Sequence, residues 1–280
     1  MRALLLLYAE TPVHAGADTG SGVVDMPIQR EVATGLPIIK GESLKGALRE
    51  HFRDIPRWTQ IFGSEPPRGG EETTPGSLRV HEAQLVAFPA PTMEDTFAWV
   101  TSPMAQARLA RKTALAGLAL PPVPAPQETS WISREQAGEL VIGPYVAATQ
   151  FSAALKKWAA EIAQRGFPDD SYFRAKFQRD LVCGGDDLLA AVSRDCAPVT
   201  ARVQLGGTGD TRTKTVRNGP FYSEYLPGES LLAALLEGSP GDLGAVAALD
   251  GQVLRVGGDE SIGKGLMWCR LWRPDDATAS

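Results

Sequence analysis

Residues 14–52 read HAGADTGSGVVDMPIQREVATGLPIIKGESLKGALREHF and divide into four pieces of different physical character. A Gly-rich arm comes first, then an isolated acid, Asp25, then an extended passage bracketed by Pro27 and Pro37, and last an amphipathic helix. The helix has the plainest signature. Ser43 carries an N-cap side chain; after it Leu44, Leu48, Phe52 and Ile55 recur at spacings of four, four and three, and Pro56 closes the run. Lys45, Arg49 and Arg53 recur every fourth residue, so they line the flank of that apolar stripe. Such a flank is ordinarily a solvated surface, here partly neutralised by Glu42, Glu50 and Asp54. The unbonded N–H groups that follow Ser43, beside the bare Gly46, instead favour an anion such as a phosphate. Asp25 follows the glycine arm and precedes a Met26 whose backbone Pro27 restricts, which places a carboxylate at the base of a flexible loop. An aspartate so placed is most often a turn residue. As a functional group it would bind a divalent ion or orient a hydroxyl for attack, since one acid alone cannot assemble a two-metal site.

With 280 residues, 43% of them hydrophobic and 22% charged, the chain can bury a large core as one elaborated domain or two small ones. Glycine and proline make up about 18%, below the roughly 25–30% of low-complexity chains, so order with long loops is expected. A net charge of −5 excludes a uniformly basic coat and confines any nucleic-acid contact to local patches. Two such patches stand out: Arg108, Arg111 and Lys112 within residues 96–127, and Arg202, Arg212, Lys214 and Arg217 within residues 199–219. Cys183, Cys196 and Cys269 are odd in number and, like the three histidines, scattered, which argues against a disulfide framework or a zinc site. The opening MRALLLLYAE is at the short limit for a signal peptide and no small-residue cleavage site follows, so it reads as a first buried strand. No stretch approaches the ~20 apolar residues of a membrane-spanning helix, and a cytoplasmic location without membrane contact is expected.

Along the rest of the chain, residues 63–76 read as an exposed flexible loop and Leu78–Phe88 as a strand. Ser102 and Pro103 mark the start of a helix running to about Leu118, and PPVPAP at 121–126 is a stiff connector. Thr149–Arg165 reads as a helix with Phe151, Leu155, Trp158 and Ile162 on one face and Gly166 at its end. Residues 170–181 read as a shorter helix with Phe173, Phe177 and Leu181, and the aromatic residues of both belong to the core. Residues 199–230 place a Gly/Thr/Arg/Lys-rich middle, with no apolar stripe to pack, between two β-like runs: a hairpin with a polar tip. Near the end, Gly258, Gly263 and Lys264 satisfy the G-x-x-x-x-G-K of a phosphate-binding loop. Gly265 nevertheless replaces the required hydroxyl residue, and the following LMWCRLW reads as a strand where that motif opens a helix. A Gly-rich turn between two strands, its N–H groups facing a nucleic-acid backbone, is the better reading.

The patterns H-x-G (His14, Gly16), G-x-V-D-x-P-I-Q-R-E (Gly22 to Glu31) and T-G-x-P-I-x-K-G-x-S-L-K-G-A-L-R (Thr34 to Arg49) resemble the RAMP-superfamily backbone subunits of type III-B CRISPR (Cmr) complexes. The similarity continues at Thr213, Val216, Gly219, Phe221, Glu224, Leu226 and Pro227 and through the glycine loop at 257–265. One departure is His81-Glu82-Ala83, where the family usually carries Asp-Ala. The resemblance implies an α+β fold: a modified ferredoxin-like (RRM-like) palm with antiparallel sheet, inserted helices and a β-hairpin thumb. It implies a single domain over residues 1–280, with the thumb at about 199–225 and a tail at 273–280. It also reads residues 229–236, helical in composition, as strand-like. Asp25 aligns with the acid the family uses to cleave RNA, with a divalent metal ion (Mg or Mn) as the expected cofactor. His14, Arg30, Lys40, Ser43, Lys45, Arg49, Gly257, Gly258, Ser261 and Lys264, with Arg212, Lys214 and Arg217 of the hairpin, are the implied contacts to guide and target RNA. The implied partners are a CRISPR guide RNA, target RNA, further copies of the chain stacked head to tail, and other Cmr-complex subunits. Of three classes, a stand-alone nuclease or NTPase lacks the hydroxyl residue of the phosphate loop and any His/Tyr/Lys cluster. Asp25 favours an endoribonuclease subunit that is also the filament scaffold and cuts target RNA at regular intervals, with a scaffold without chemistry as the alternative.

Overall fold

The computed structural model describes residues 1–17, 24–64, 73–121, 129–135, 138–169, 171–206 and 215–274. Its architecture follows from the first strand, β1 (Arg2–Ala9), in which seven of eight residues are buried. Alternation sends Ala3, Leu5, Leu7 and Ala9 into one core and Leu4, Leu6 and Tyr8 into the other. Seven buried residues whose one polar side-chain atom is the Tyr8 hydroxyl suit a strand covered on both faces.

The first face is covered by α1 (Gly41–His51), which follows the short β2 (Ile38–Ile39) and buries Leu44 and Leu48, and by α2 (Trp58–Phe62). Next come β3 (Arg79–Val80), β4 (Ala83–Pro91) and β5 (Phe97–Thr101), then α3 (Pro103–Leu115), whose Ala105 N–H donates to the Ser102 hydroxyl at 3.3 Å. Strands β6 (Ser130–Ile132), β7 (Gly138–Ile142) and β8 (Tyr145–Phe151) lead into α4 (Ala153–Gly166). Leu155, Trp158 and Ile162 of α4 cover the second face, together with Phe167 just after α4 and Phe177 of α5 (Ser171–Arg179), which pack on Trp99 of β5. Beyond them lie β9 (Leu181–Cys183), α6 (Asp186–Asp195), the hairpin β10 (Val199–Gly206) and β11 (Thr215–Glu224), β12 (Leu231–Glu237), α7 (Pro240–Ala245), β13 (Val253–Arg255) and β14 (Leu266–Trp272).

The large sheet runs β13-β14-β1-β12-β4-β5-β9-β6-β8-β7, with β2 and β3 attached to β4 and β12. Among its named pairs only β5–β9 and β6–β8 are parallel. The hairpin β10–β11 forms a separate two-stranded sheet. Among the described residues no helix is long and apolar enough to cross a membrane.

Several local readings need correction. Helix α1 begins at Gly41, with Lys40 and not Ser43 at its N-cap, because the Leu44 N–H already bonds the Lys40 carbonyl at 3.0 Å; at Gly41 a Cβ would come within 2.5 Å of the Val80 carbonyl. The helix ends at His51 rather than at Pro56, and Ile55 packs from the following turn. Phe151 is not on the buried face of α4: Ser152 is extended and its hydroxyl accepts the Leu155 N–H, so the helix starts after Phe151, which ends β8 exposed. The 170–181 helix stops at Arg179, which puts Leu181 in β9, and Phe173 is only partly buried. The strand over 78–88 is broken at His81 and Glu82, and residues 231–237 form a strand buried on both faces. The basic patch at 96–127 is largely spent inside the fold: Arg108 pairs with Glu31 at 2.7 Å and Lys112 donates to Gln84. The arm at 18–23, residues 65–72 of the 63–76 loop, the connector from 122, the hairpin tip with Arg212, Thr213 and Lys214, and the tail from 275 lie outside the described residues.

Candidate functional site

Four segments meet beside the root of the hairpin. Residues 13–17 run antiparallel to residues 27–29, through Ala17 N–H to Pro27 O at 3.0 Å and Gln29 N–H to Ala15 O at 2.7 Å. The same arm bridges Leu226 through Val13 and the glycine loop through His14 and Gly258. The 25–30 passage in turn lies against the end of β11: Met26 N–H donates to Tyr222 O at 3.0 Å and Glu224 N–H donates to Met26 O at 2.9 Å.

Asp25 sits at this junction with its side chain exposed. Its Oδ2 accepts the Tyr222 N–H at 2.7 Å, so one oxygen is anchored and the other faces solvent. His14 approaches from the other arm. Its Nδ1 lies 2.8 Å from the Glu224 carbonyl, an acceptor only, so Nδ1 carries the proton and Nε2 is left as an acceptor in the neutral ring. Gly16 leaves room for that ring, since a Cβ there would come within 3.0 Å of Nε2.

Glu224 ties the two arms together. Its Oε1 accepts from Arg30 at 2.6 Å and its Oε2 from the Ile28 N–H at 3.0 Å, and it is buried. Arg30 also donates to the carbonyls of Gly35 and Ser193. Arg30 is thus turned into the protein rather than toward solvent.

The glycine loop between β13 and β14 closes the site. Gly257 has φ +88°, and a Cβ there would meet the His14 carbonyl at 2.4 Å, so only glycine lets the loop pass this close. Gly258 N–H donates to His14 O at 2.9 Å. Gly258 and Ser261 are exposed, and Lys264 Nζ lies 5.2 Å from the centre of the Tyr225 ring. A cleft of about 610 Å³ separates this loop from α1 and is lined by Ser43, Gly46, His51, Arg255, Gly257 and Glu260. The structure therefore brings one face of α1, from Ser43 to His51, and the glycine loop to one groove, with Arg255 and the acids Glu50 and Glu260 in its lining.

Lys45 is half-buried, and burial first, then the charge of Arg49, lowers its pKa. No carboxylate pairs with it among the described residues. Arg49 stacks 4.4 Å over Trp58, whose indole N–H donates to the Arg49 carbonyl. Two adjacent cations without an acid between them form the feature that an anion would complete. Arg217 is exposed on β11. Two groups have no role in the reading of the sequence, Tyr222, which supplies its backbone, and Tyr225; Arg202, part of a basic patch there, converges with Tyr225 on Asp259 of the glycine loop.

A mostly antiparallel sheet covered on both faces, with a hairpin detached from it and a glycine loop packed against the His14 arm, defines a mixed α/β protein. The family comparison agrees, and the chain belongs to the RAMP superfamily, whose model matches residues 6–268. Among curated proteins it is 29% identical over 289 residues, covering 95% of both chains, to the CRISPR system Cmr endoribonuclease Cmr4 of Pyrococcus furiosus. Among solved structures it is similar to oligomeric Cmr4 from the same organism, with 26% identity, 97% and 98% coverage and a TM-score of 0.74. The fold also matches a chain in a type III-B Cmr-beta complex bound to cognate target RNA, at 18% identity, 97% coverage of both chains and a TM-score of 0.73.

Proposed function

We propose that this chain is the repeated backbone subunit of a type III-B CRISPR effector, and that it cleaves target RNA paired with the guide. The observation that carries this reading is the Asp25 carboxylate, exposed at the hairpin root with one oxygen fixed by the Tyr222 N–H and the other open. In this reading β1, β12, β14 and β4 with their helices are the ferredoxin-like palm, β10–β11 is the thumb, and residues 1–280 are one RAMP domain. Guide phosphates are held by Lys45 and Arg49 of α1 and by Lys264 and the N–H groups of the glycine loop, on the elements that flank the groove, without regard to base identity. His14, Lys40, Ser43, Gly257, Gly258 and Ser261 are assigned to RNA contact beside them, as is Arg217 on β11; Arg212 and Lys214, assigned with it, lie outside the described residues. Arg30 serves from inside, by holding Glu224. Copies stack along one guide in the cytoplasm, beside other subunits of the complex.

The chemistry is attack by a target 2′-hydroxyl on its neighbouring phosphate. Asp25 accepts the hydroxyl proton as the O2′–P bond forms, the P–O5′ bond breaks, and the 5′ oxygen leaves with a proton from water. The products are a 2′,3′-cyclic phosphate and a 5′-hydroxyl. His14 Nε2 is a second acceptor beside the site. Among the described residues no group of three His, Cys, Asp or Glu side chains is placed to hold a metal. Glu224 and Asp259, the nearby acids, are each engaged by an arginine. If a divalent ion (Mg or Mn) takes part, Asp25 is the residue that would hold it, and the ion would supply neutralisation of phosphate charge.

The test is an assembled complex with guide and matched target RNA. Cleavage is expected at regular intervals, and a single 2′-deoxy nucleotide at a cleavage site should abolish the cut there and nowhere else. Cleavage that continues at the deoxy position, or products with a linear 3′-hydroxyl, would overturn the 2′-hydroxyl route.

A further inference from the structure

Because β10–β11 is not part of the large sheet, a few contacts at its root set its direction. On the β11 side these are to the Asp25 arm, through Met26 and the Asp25 carboxylate. On the β10 side Arg202 reaches the glycine loop: its NH1 lies 2.7 and 2.6 Å from the two carboxylate oxygens of Asp259. The Tyr225 hydroxyl donates to the same carboxylate at 2.9 Å. Asp259 is held in the left-handed region, φ 67°, a conformation that persists for a non-glycine residue only where its surroundings fix it.

The position of Arg202 on the hairpin gives this contact a consequence. Arg202 pairs directly with Phe221, the residue before Tyr222. Just beyond it the register breaks in a bulge, and Gly219 is packed so that a Cβ would come within 2.9 Å of the Arg202 carbonyl. The grip on Arg202 therefore acts where the hairpin bends, one residue from the N–H that anchors Asp25.

We infer that Asp259 is a positioning residue for target cleavage: it braces the hairpin through Arg202 and so holds the Tyr222 N–H against Asp25. The inference rests on the reading of Asp25 given above. It removes Arg202 from the basic patch that the sequence suggests, since its charge is answered inside the protein, at side-chain exposures of 33% for Arg202 and 13% for Asp259. A phosphate contact and a brace make opposite predictions. If Arg202 held RNA, Arg202→Ala would weaken binding, and Asp259→Asn, by freeing the guanidinium, would strengthen it.

The experiment measures target affinity and single-turnover cleavage in the assembled complex for Arg202→Ala, Asp259→Asn, the double variant and Arg202→Lys. The brace predicts that each of the first two loses roughly ten- to a hundredfold in cleavage rate, as a small misplacement of reacting groups does. Target affinity should stay within about twofold, since neither residue contacts RNA in this account. The double variant should be no slower than the singles, and Arg202→Lys should recover part of the rate. Opposite effects of the two singles on affinity, additive losses in the double, or wild-type cleavage in both singles would overturn the inference. Asp25→Asn, run alongside, separates the failures: if that variant cleaves, the assignment of Asp25 is at fault rather than the brace.

Discussion

Removing Glu224 should destabilise the chain through the charge it leaves behind. In Glu224→Ala the Ile28 N–H loses its acceptor and Arg30 loses its carboxylate, in a pair whose side chains are 20% and 10% exposed. An uncompensated buried charge costs about 3–5 kcal/mol. Arg30 keeps the Gly35 and Ser193 carbonyls and some solvent, so the expected loss is smaller, about 2–3 kcal/mol. That is a large share of the roughly 5–15 kcal/mol by which a domain is stable. Replacing both partners by apolar residues, as in Arg30→Met with Glu224→Leu, removes the orphaned charge and should recover most of the loss. The assay is urea denaturation of the isolated chain at neutral pH, comparing midpoints at equal slope. A Glu224→Ala loss under about 1 kcal/mol, or a double variant worse than the single, would refute the reasoning.

Gly257→Ala combines a positive φ with a Cβ 2.4 Å from the His14 carbonyl; it should cost about 1–3 kcal/mol and weaken guide binding, read by melting and by filter binding. Lys45→Ala should lower the slope of log affinity against log salt by about one unit, equally for all guide sequences. Glu229 is pushed up to about 7 by burial. A carboxyl protonated more readily in the folded than in the unfolded chain adds stability below about pH 4.5 that is lost as pH rises through about 7. Glu229→Gln should therefore gain about 1–2 kcal/mol over the parent at pH 8, discounted for partial exposure, and little at pH 4.5, in denaturation at the two pH values.

What the sequence made legible was what local chemistry decides. The Leu44/Leu48 stripe, the Ser102-Pro103 start and the apolar first strand each carry their signal within a few residues, and each is in the structure. The strand at 231–237 was ambiguous because it is covered on both faces, which erases the alternation that separates strand from helix. Ser43 has the side chain of a cap, but the Leu44 N–H bonds the Lys40 carbonyl and the helix starts at Gly41, whose close approach to Val80 no local pattern encodes. The charges were the least legible. Arg30, Arg108 and Arg202 looked free, because their acids lie 194, 77 and 57 residues away. An acid inside a loop otherwise suited to phosphate, Asp259, was the one available hint that the loop also holds protein.

The most direct test of the account is Asp25→Asn in the assembled complex with guide and matched target RNA. Asparagine keeps the size and an oxygen able to accept the Tyr222 N–H, and it removes the charge and the proton acceptor. The account predicts unchanged target binding with cleavage lost at every site. Undiminished cleavage by Asp25→Asn would contradict it and leave the chain a scaffold for guide RNA.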